Sequence, residues 1–219
     1  MAPLSQQLVN LFAAALLLIA FAMLSQRRVL SLIRLFAWQG VALAASTVVV
    51  AYSMNQPHLY LSAVITIGLK VLFLPWFLHR LIDRLNVRWD VETLINIPAT
   101  MLVGIGLAIF AFALATPISE MASTMTRSTL GIALASVLLS FLMMIVRRKA
   151  VPQVIGFLAM ENGLFFAATS ATYGMPLVVE MGVALDVLVA AFVFGIFFFH
   201  IRETFDSLDI RHMERLKQD

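Results

Sequence analysis

The chain has 219 residues, of which 62% are hydrophobic and 12% are charged, and its formal net charge is +3. A soluble domain of this size carries about twice that charged fraction, so the composition excludes a soluble globular protein. Cysteine is absent, which excludes disulfides, thiolate-bound iron–sulfur clusters and a cysteine nucleophile. We therefore predict an all-α integral membrane protein. Its basic residues lie at the ends of apolar runs, which favours a role in membrane orientation over nucleic-acid binding.

Seven apolar runs are long enough to cross a bilayer as a helix, which takes about 20 residues. They cover roughly residues 8–24, 29–54, 59–82, 97–115, 129–146, 152–173 and 177–200. A polar corner is predicted at residues 55–58, and a loop at residues 117–128. Pro75 lies within the third run, where a proline tends to kink the helix beside a polar or hydrated region. No basic segment precedes the first run, so we predict a retained helix and not a cleaved signal peptide.

The distribution of Lys and Arg predicts the orientation of these helices. Twelve residues near the ends of the runs lie on one side of the membrane, and only Arg127 lies on the other. The positive-inside rule then places the N-terminus outside and the C-terminus in the cytoplasm, which requires an odd number of spans. The twelve residues are Arg27, Arg28, Arg80, Arg84, Arg88, Arg147, Arg148, Lys149, Arg202, Arg211, Arg215 and Lys217.

The first three and the last three runs have the same plan, which predicts two parallel three-helix repeats in a 3+1+3 arrangement. In this alignment Gln39 corresponds to Glu161, and Lys70 lies at the position of Asp186. The predicted divisions are a first repeat (residues 1–82), a cytoplasmic loop with a connecting fourth helix (83–128), a second repeat (129–200) and a cytoplasmic tail (201–219).

Four charged residues lie well inside the predicted spans: Lys70, Glu161, Glu180 and Asp186. Each costs roughly 2.5–3.5 kcal/mol at the centre of a membrane helix, which makes it a candidate for function. Glu161 and Asp186 are expected at similar depth, with Glu180 nearer the outer face. Arg34 can extend its long side chain to the membrane edge. The charges can exchange protons or hold helices together as permanent pairs, and the residues leave both alternatives open.

Three segments carry a resemblance to a known family. They are LAMENGLFFAATSATYGMPLVVEMGVALDVLVAAF, the tail ETFDSLDIRHMERLK and the stretch ITIGLKVLFLPWFL around Lys70. Together they closely resemble component E of hydrogenase-4, a membrane subunit of formate-hydrogenlyase-type complexes. The last three predicted spans are also similar to the K subunit of respiratory complex I and to the C subunit of multi-subunit sodium/proton antiporters.

The resemblance implies a K-like, non-catalytic subunit of a complex-I-related hydrogenase in the inner membrane of a prokaryote. Such a subunit links a core membrane subunit to antiporter-like subunits and contributes a proton or ion path. Glu161 and Asp186 match the two membrane glutamates of the K subunit, with Asp186 the shorter acid. Gln39 and Lys70 stand where that pattern has acids. Both are candidate residues of the proton or ion path, with Lys70 a charge that couples to the acids, and Glu180 is an outer relay.

The same resemblance implies no cofactor in this chain. It places the NiFe and iron–sulfur centres in partner subunits, and it implies contacts with lipids but not with nucleic acid. Seven helices in a 3+1+3 plan are also typical of SWEET and PQ-loop solute carriers, and Pro152 and Gln153 spell that dipeptide. A subunit that serves only as a scaffold is a third alternative. The sequence does not distinguish H⁺ from Na⁺ as the moved ion.

Overall fold

The computed structural model describes residues 4–85, 93–121 and 124–171, together with residue 182. Within these ranges all regular structure is helical, apart from an isolated bridge between Thr93 and Arg147. The described residues lie in one compact unit, Met1–Val183, whereas a second unit, Ala184–Asp219, falls outside the description. The prediction of an all-helical protein is confirmed for this part of the chain.

Seven α-helices and one π-helical segment make up the described structure. They are α1 (Leu4–Ser25), α2 (Val29–Met54), α3 (His58–Thr66), the π-helical segment (Ile67–Phe73), α4 (Leu74–Leu85), α5 (Ile97–Met121), α6 (Thr124–Val146) and α7 (Ala150–Ala171). The segments from α3 to α4 form one continuous helix, so six helices are long and apolar enough to cross a membrane. The first six predicted spans are therefore confirmed. The seventh span lies outside the described residues except for Gly182, so it stays a prediction, as do the repeat and the orientation.

The helices follow from the absence of water in a bilayer, because every backbone N–H and C=O must then be satisfied within the segment. Polar residues end the helices where the chain can turn. Asn55 follows α2 in the left-handed conformation with φ 52°, and its N–H donates to the carbonyl of Ala51. Asparagine tolerates this conformation better than most residues. Pro57 then precedes α3, which confirms the predicted polar corner.

The predicted loop at residues 117–128 is wrong. Helix α5 continues through Pro117 to Met121, and α6 begins at Thr124. Prolines are tolerated in membrane helices because neighbouring hydroxyl groups and local adjustments satisfy the backbone groups that they free. Pro117 frees the carbonyl of Ala113, and in the same turn the hydroxyl of Thr116 donates to the neighbouring carbonyl of Phe112 at 2.8 Å. Proline by itself was therefore a poor signal for the end of this helix.

The helices pack in a connected set. Helix α1 packs on α2, α5 and α6, and α2 packs on α7 and on the helix that includes the π-helical segment. Small residues allow close contact between α6 and α7: a Cβ at Gly163 would lie 2.9 Å from Val137, and one at Gly156 would lie 2.9 Å from Met144. Close approach at small residues stabilises helix pairs in membranes, where lipid is as apolar as the side chains.

Large apolar side chains are exposed along several helices, including Leu18 on α1, Leu61 on α3, and Leu102 and Ile109 on α5. A water-soluble monomer rarely exposes extended apolar patches of this kind. In a bilayer the same side chains contact lipid hydrocarbon at no such cost. The protein is a multi-pass membrane protein.

Candidate functional site

Lys70 lies near the middle of the third membrane-spanning helix, at the place where its hydrogen-bond pattern changes. It belongs to the π-helical segment, which ends with Leu74 N–H donating to the carbonyl of Leu69, five residues earlier. Pro75 follows at once. Its ring would clash with the carbonyl four residues earlier in a regular α-helix, and π-type turns are one of the adjustments that membrane helices use around proline. The irregularity predicted beside Pro75 is thus a π-helical segment that contains Lys70.

An ion pair joins this helix to α7 within the membrane-spanning region. Lys70 Nζ lies 3.8 Å from Glu161 Oε2, and the two side chains are only 1% and 4% exposed. A direct charge-assisted hydrogen bond is shorter, about 2.7–2.9 Å. Lys70 Nζ also lies 5.8 Å from the centre of the Phe165 ring, one helical turn beyond Glu161. Cation–π attraction adds roughly 0.5–2 kcal/mol in such geometry. The structure therefore places Glu161 beside Lys70.

A pair of buried amide side chains joins α7 to α2, and one of them, Asn162, is the neighbour of Glu161 in the chain. Asn162, which follows Glu161, donates from Nδ2 to Oε1 of Gln39 on α2 at 3.2 Å. Both residues are completely buried. Gln39 Nε2 and Asn162 Oδ1 have no hydrogen-bond partner among the residues that the structure describes. Leaving such a group unsatisfied in an apolar interior costs about 1–3 kcal/mol.

The sequence did not lead us to predict Asn162 as a site residue. The prediction selected the charged residues within the spans and Gln39, the polar residue that aligns with Glu161 in the predicted repeat. The sequence did indicate Asn162, because a buried amide in an apolar span requires a hydrogen-bond partner just as a buried acid does. What the sequence could not provide was the pairing of α2 with α7.

Gly40 allows α2 to approach the π-helical segment closely. A Cβ at this position would lie 3.1 Å from Val71 Cγ2 and 3.4 Å from Lys70 Cβ. At 3.1 Å the Val71 side chain would have to move by a few tenths of an ångström to accept a Cβ. The glycine therefore lets Gln39 and Lys70, from two different helices, occupy the same region of the protein interior.

Arg147 is a second buried charge, and it lies just beyond α6. Its Nη2 donates to the carbonyls of Met23 at 3.0 Å and Leu24 at 2.9 Å, near the C-terminal end of α1. Cations are stabilised at helix C-termini, where the last carbonyls lack partners within the helix. Burial lowers the pKa of Arg147 from its usual range to about 10, so the guanidinium stays charged at neutral pH. From the sequence, Arg147 was predicted to contribute to membrane orientation. In the structure, Arg147 also connects the end of α6 to the end of α1 through these hydrogen bonds.

Two of the predicted site residues, Glu180 and Asp186, lie outside the described residues. Gly182, between them, is described and lies against α7: a Cβ there would be 2.6 Å from two atoms of the Phe165 ring. The described part of the site thus consists of Gln39, Lys70 and Glu161 from the prediction, with Asn162 added. In the part of the chain that the structure describes, no group of three or more His, Cys, Asp or Glu side chains could hold a metal ion.

Fold and site together define a class: a multi-pass helical membrane protein with an ammonium, a carboxylate and two amides gathered in its interior. The carboxylate can accept and release a proton, and the amides can bind water or orient their neighbours. Charged residues within membrane spans commonly lie on ion or proton paths, and they also pair to hold helices. The geometry accommodates both uses.

Comparison with known proteins assigns the family. The chain is 34% identical over 208 residues to uncharacterized protein Rv0085 of Mycobacterium tuberculosis, and the match covers 94% of each chain. The chain belongs to the same family as that protein. It is also 29% identical over 101 residues to hydrogenase-4 component E of Escherichia coli, a match that covers 46% of this chain and 47% of the relative. Hydrogenase-4 component E of Shigella flexneri matches to the same extent. No protein-family model matches the chain, and no solved structure matches it significantly.

Proposed function

We propose that this chain is a K-like membrane subunit of a hydrogenase-type complex and that its buried Lys70–Glu161 pair takes part in moving a proton or cation. In this proposal the chain itself performs no redox chemistry. It lies in the inner membrane of a prokaryote beside a core membrane subunit and antiporter-like subunits. The NiFe and iron–sulfur centres belong to the partners, and Asp186 and Glu180 are further groups on the path.

The partial match to hydrogenase-4 component E supports the assignment to a hydrogenase-type complex. The fold adds that the chain is a helical membrane protein, as a subunit of this kind must be.

One observation carries the proposed role in ion movement: a lysine and a glutamate are buried together at mid-span, yet 3.8 Å apart. A pair that serves only to join helices is most stable when its hydrogen bonds are short and complete, because desolvation of both charges opposes it. A longer separation leaves Glu161 able to exchange a proton, with Lys70 stabilising the carboxylate form. The π-helical segment around Lys70 fits this role, since such segments occur frequently at functional sites.

The test replaces Glu161 with glutamine in the complex isolated through a tag on this chain. We expect the hydrogenase and antiporter-like subunits to co-purify, hydrogen turnover to persist and ion movement into reconstituted vesicles to fall sharply. Thr169→Val is the matched control. Thr169 is buried on α7 two turns beyond Glu161, and its hydroxyl donates to the carbonyls of Phe165 and Phe166.

Unchanged ion movement in the Glu161→Gln complex would reduce the pair to a structural contact. Purification of the chain without hydrogenase or antiporter-like subunits would instead refute the assignment to such a complex.

A further inference from the structure

We propose that the Gln39–Asn162 amide pair binds internal water and that this water extends a proton path from the Lys70–Glu161 pair across the contact between α2 and α7. The inference rests on the proposed function, and it specifies the moved ion as a proton instead of sodium. It assigns a role to two side chains that the ion pair by itself does not explain.

The amide pair has hydrogen-bonding groups that its own bond does not use. Among the residues that the structure describes, the bond between Asn162 Nδ2 and Gln39 Oε1 leaves a donor, Gln39 Nε2, and an acceptor, Asn162 Oδ1, without a partner. Both residues are 0% exposed. A buried pair that left these groups unsatisfied would be less stable than two apolar side chains of similar shape. Water donates and accepts at once, so it satisfies both groups where an anion or a cation satisfies one.

Each amide is one residue away from a group of the ion-pair region. Asn162 follows Glu161 directly in α7, and Gln39 precedes Gly40, where a Cβ would lie 3.4 Å from Lys70 Cβ. The amide pair therefore links α7 to α2 close to the ion pair. Buried waters in proteins typically make about three hydrogen bonds to polar groups of this kind. A chain of such waters passes a proton by exchanging covalent and hydrogen bonds: Glu161 releases the proton it had accepted and becomes a carboxylate again, and the waters then rotate back before the next proton crosses.

The groups around Glu161 favour a proton over a metal cation as the moved ion. A hard cation requires several oxygen ligands around it. Gln39 Oε1 already accepts a hydrogen bond, and the Lys70 ammonium lies 3.8 Å from the Glu161 carboxylate. A cation bound to the same carboxylate would lie close to the ammonium, and like charges at short range repel strongly in a medium of low dielectric constant. A proton moving along water needs no such cage of ligands.

Hydration is tested on the full-length chain in lipid bilayers with deuterated acyl chains, by solid-state NMR transfer of magnetisation from water. We expect rapid transfer to the side-chain amides of Gln39 and Asn162, as to that of exposed Gln153. The backbone amide of Leu43, completely buried one turn from Gln39, is the dry control and should receive little. Dry amides at Gln39 and Asn162 would overturn the inference and leave the proposed function standing.

The role in transport is tested in the tagged complex, reconstituted into vesicles that report pH and sodium uptake separately. Asn162→Leu should reduce proton movement by about tenfold or more while hydrogen turnover persists. The double swap Gln39→Asn with Asn162→Gln keeps one amide on each helix and should restore much of the loss. The NMR measurement uses the unaltered chain. It therefore shows whether Gln39 and Asn162 are hydrated even if the Asn162→Leu variant fails to assemble.

The outcomes separate the two proposals. Sodium uptake in place of proton uptake, or full proton movement in Asn162→Leu, would overturn this inference while ion movement by the subunit remained. Vesicles with the unaltered complex that moved neither ion would refute the proposed function, and the proton path with it.

Discussion

A double-mutant cycle on Lys70 and Glu161 measures how strongly the two charges depend on each other. Lys70→Met leaves a buried carboxylate without its cation, and Glu161→Gln leaves a buried ammonium without its anion. At 3.8 Å, Coulomb attraction is about 4 kcal/mol for an effective dielectric constant near 20. Breaking a buried pair by removing one partner costs about 3–5 kcal/mol, which agrees with that figure. The double variant loses both charges, and we expect it to be within about 1–2 kcal/mol of the unaltered protein.

The assay is the free energy of unfolding of the full chain in mixed micelles, measured by titration with denaturing detergent. We expect each single variant to unfold at a clearly lower detergent fraction and the double variant to recover most of the loss. The contact of Lys70 Nζ with the Phe165 ring, 5.8 Å away, is lost both in Lys70→Met and in the double variant, so its contribution cancels in the cycle. If the loss in the double variant equals the sum of the two single losses, the charges do not interact and the assignment of the pair is refuted.

Three further predictions concern Gly40 and Arg147. Gly40→Val should destabilise the protein by about 1–3 kcal/mol because the new side chain meets Val71, whereas Gly68→Ala, with nothing within 4 Å, should change the unfolding free energy little. Equal effects of the two changes would contradict the close approach. Arg147→Met should cost about 3 kcal/mol because α1 loses a donor to two carbonyls, whereas exposed Arg148→Met should stay within about 0.5 kcal/mol. Because burial lowers the pKa of Arg147 to about 10, the unfolded chain binds this proton more tightly. The contribution of Arg147 to the free energy of unfolding should therefore be constant below about pH 9 and should increase only above about pH 10. Unfolding titrations at a series of pH values check this expectation.

Several parts of the site could be predicted from the sequence, because a bilayer allows few exceptions to two rules: backbone groups are satisfied within the helix, and buried charges have partners. Lys70 and Glu161 stood out since a charge within an apolar span needs a partner. Pro75 marked the irregular turn, although the sequence did not reveal that the turn is a π-helical segment or that it contains Lys70. Pro117 led to the wrong prediction of a loop, because a membrane helix can continue through a proline, and here the hydrophobic length of α5 outweighs the effect of the proline.

The sequence by itself determined that the chain is a helical membrane protein, where its first six spans lie and which buried residues require an explanation. These properties depend on hydrophobic length and on the cost of burying charge, both of which are local. The tertiary structure decided that Lys70 meets Glu161, that Gln39 meets Asn162 and that Arg147 reaches the end of α1. Those pairings depend on which helix faces approach each other, and small residues such as Gly40 set that approach through packing between segments far apart in sequence.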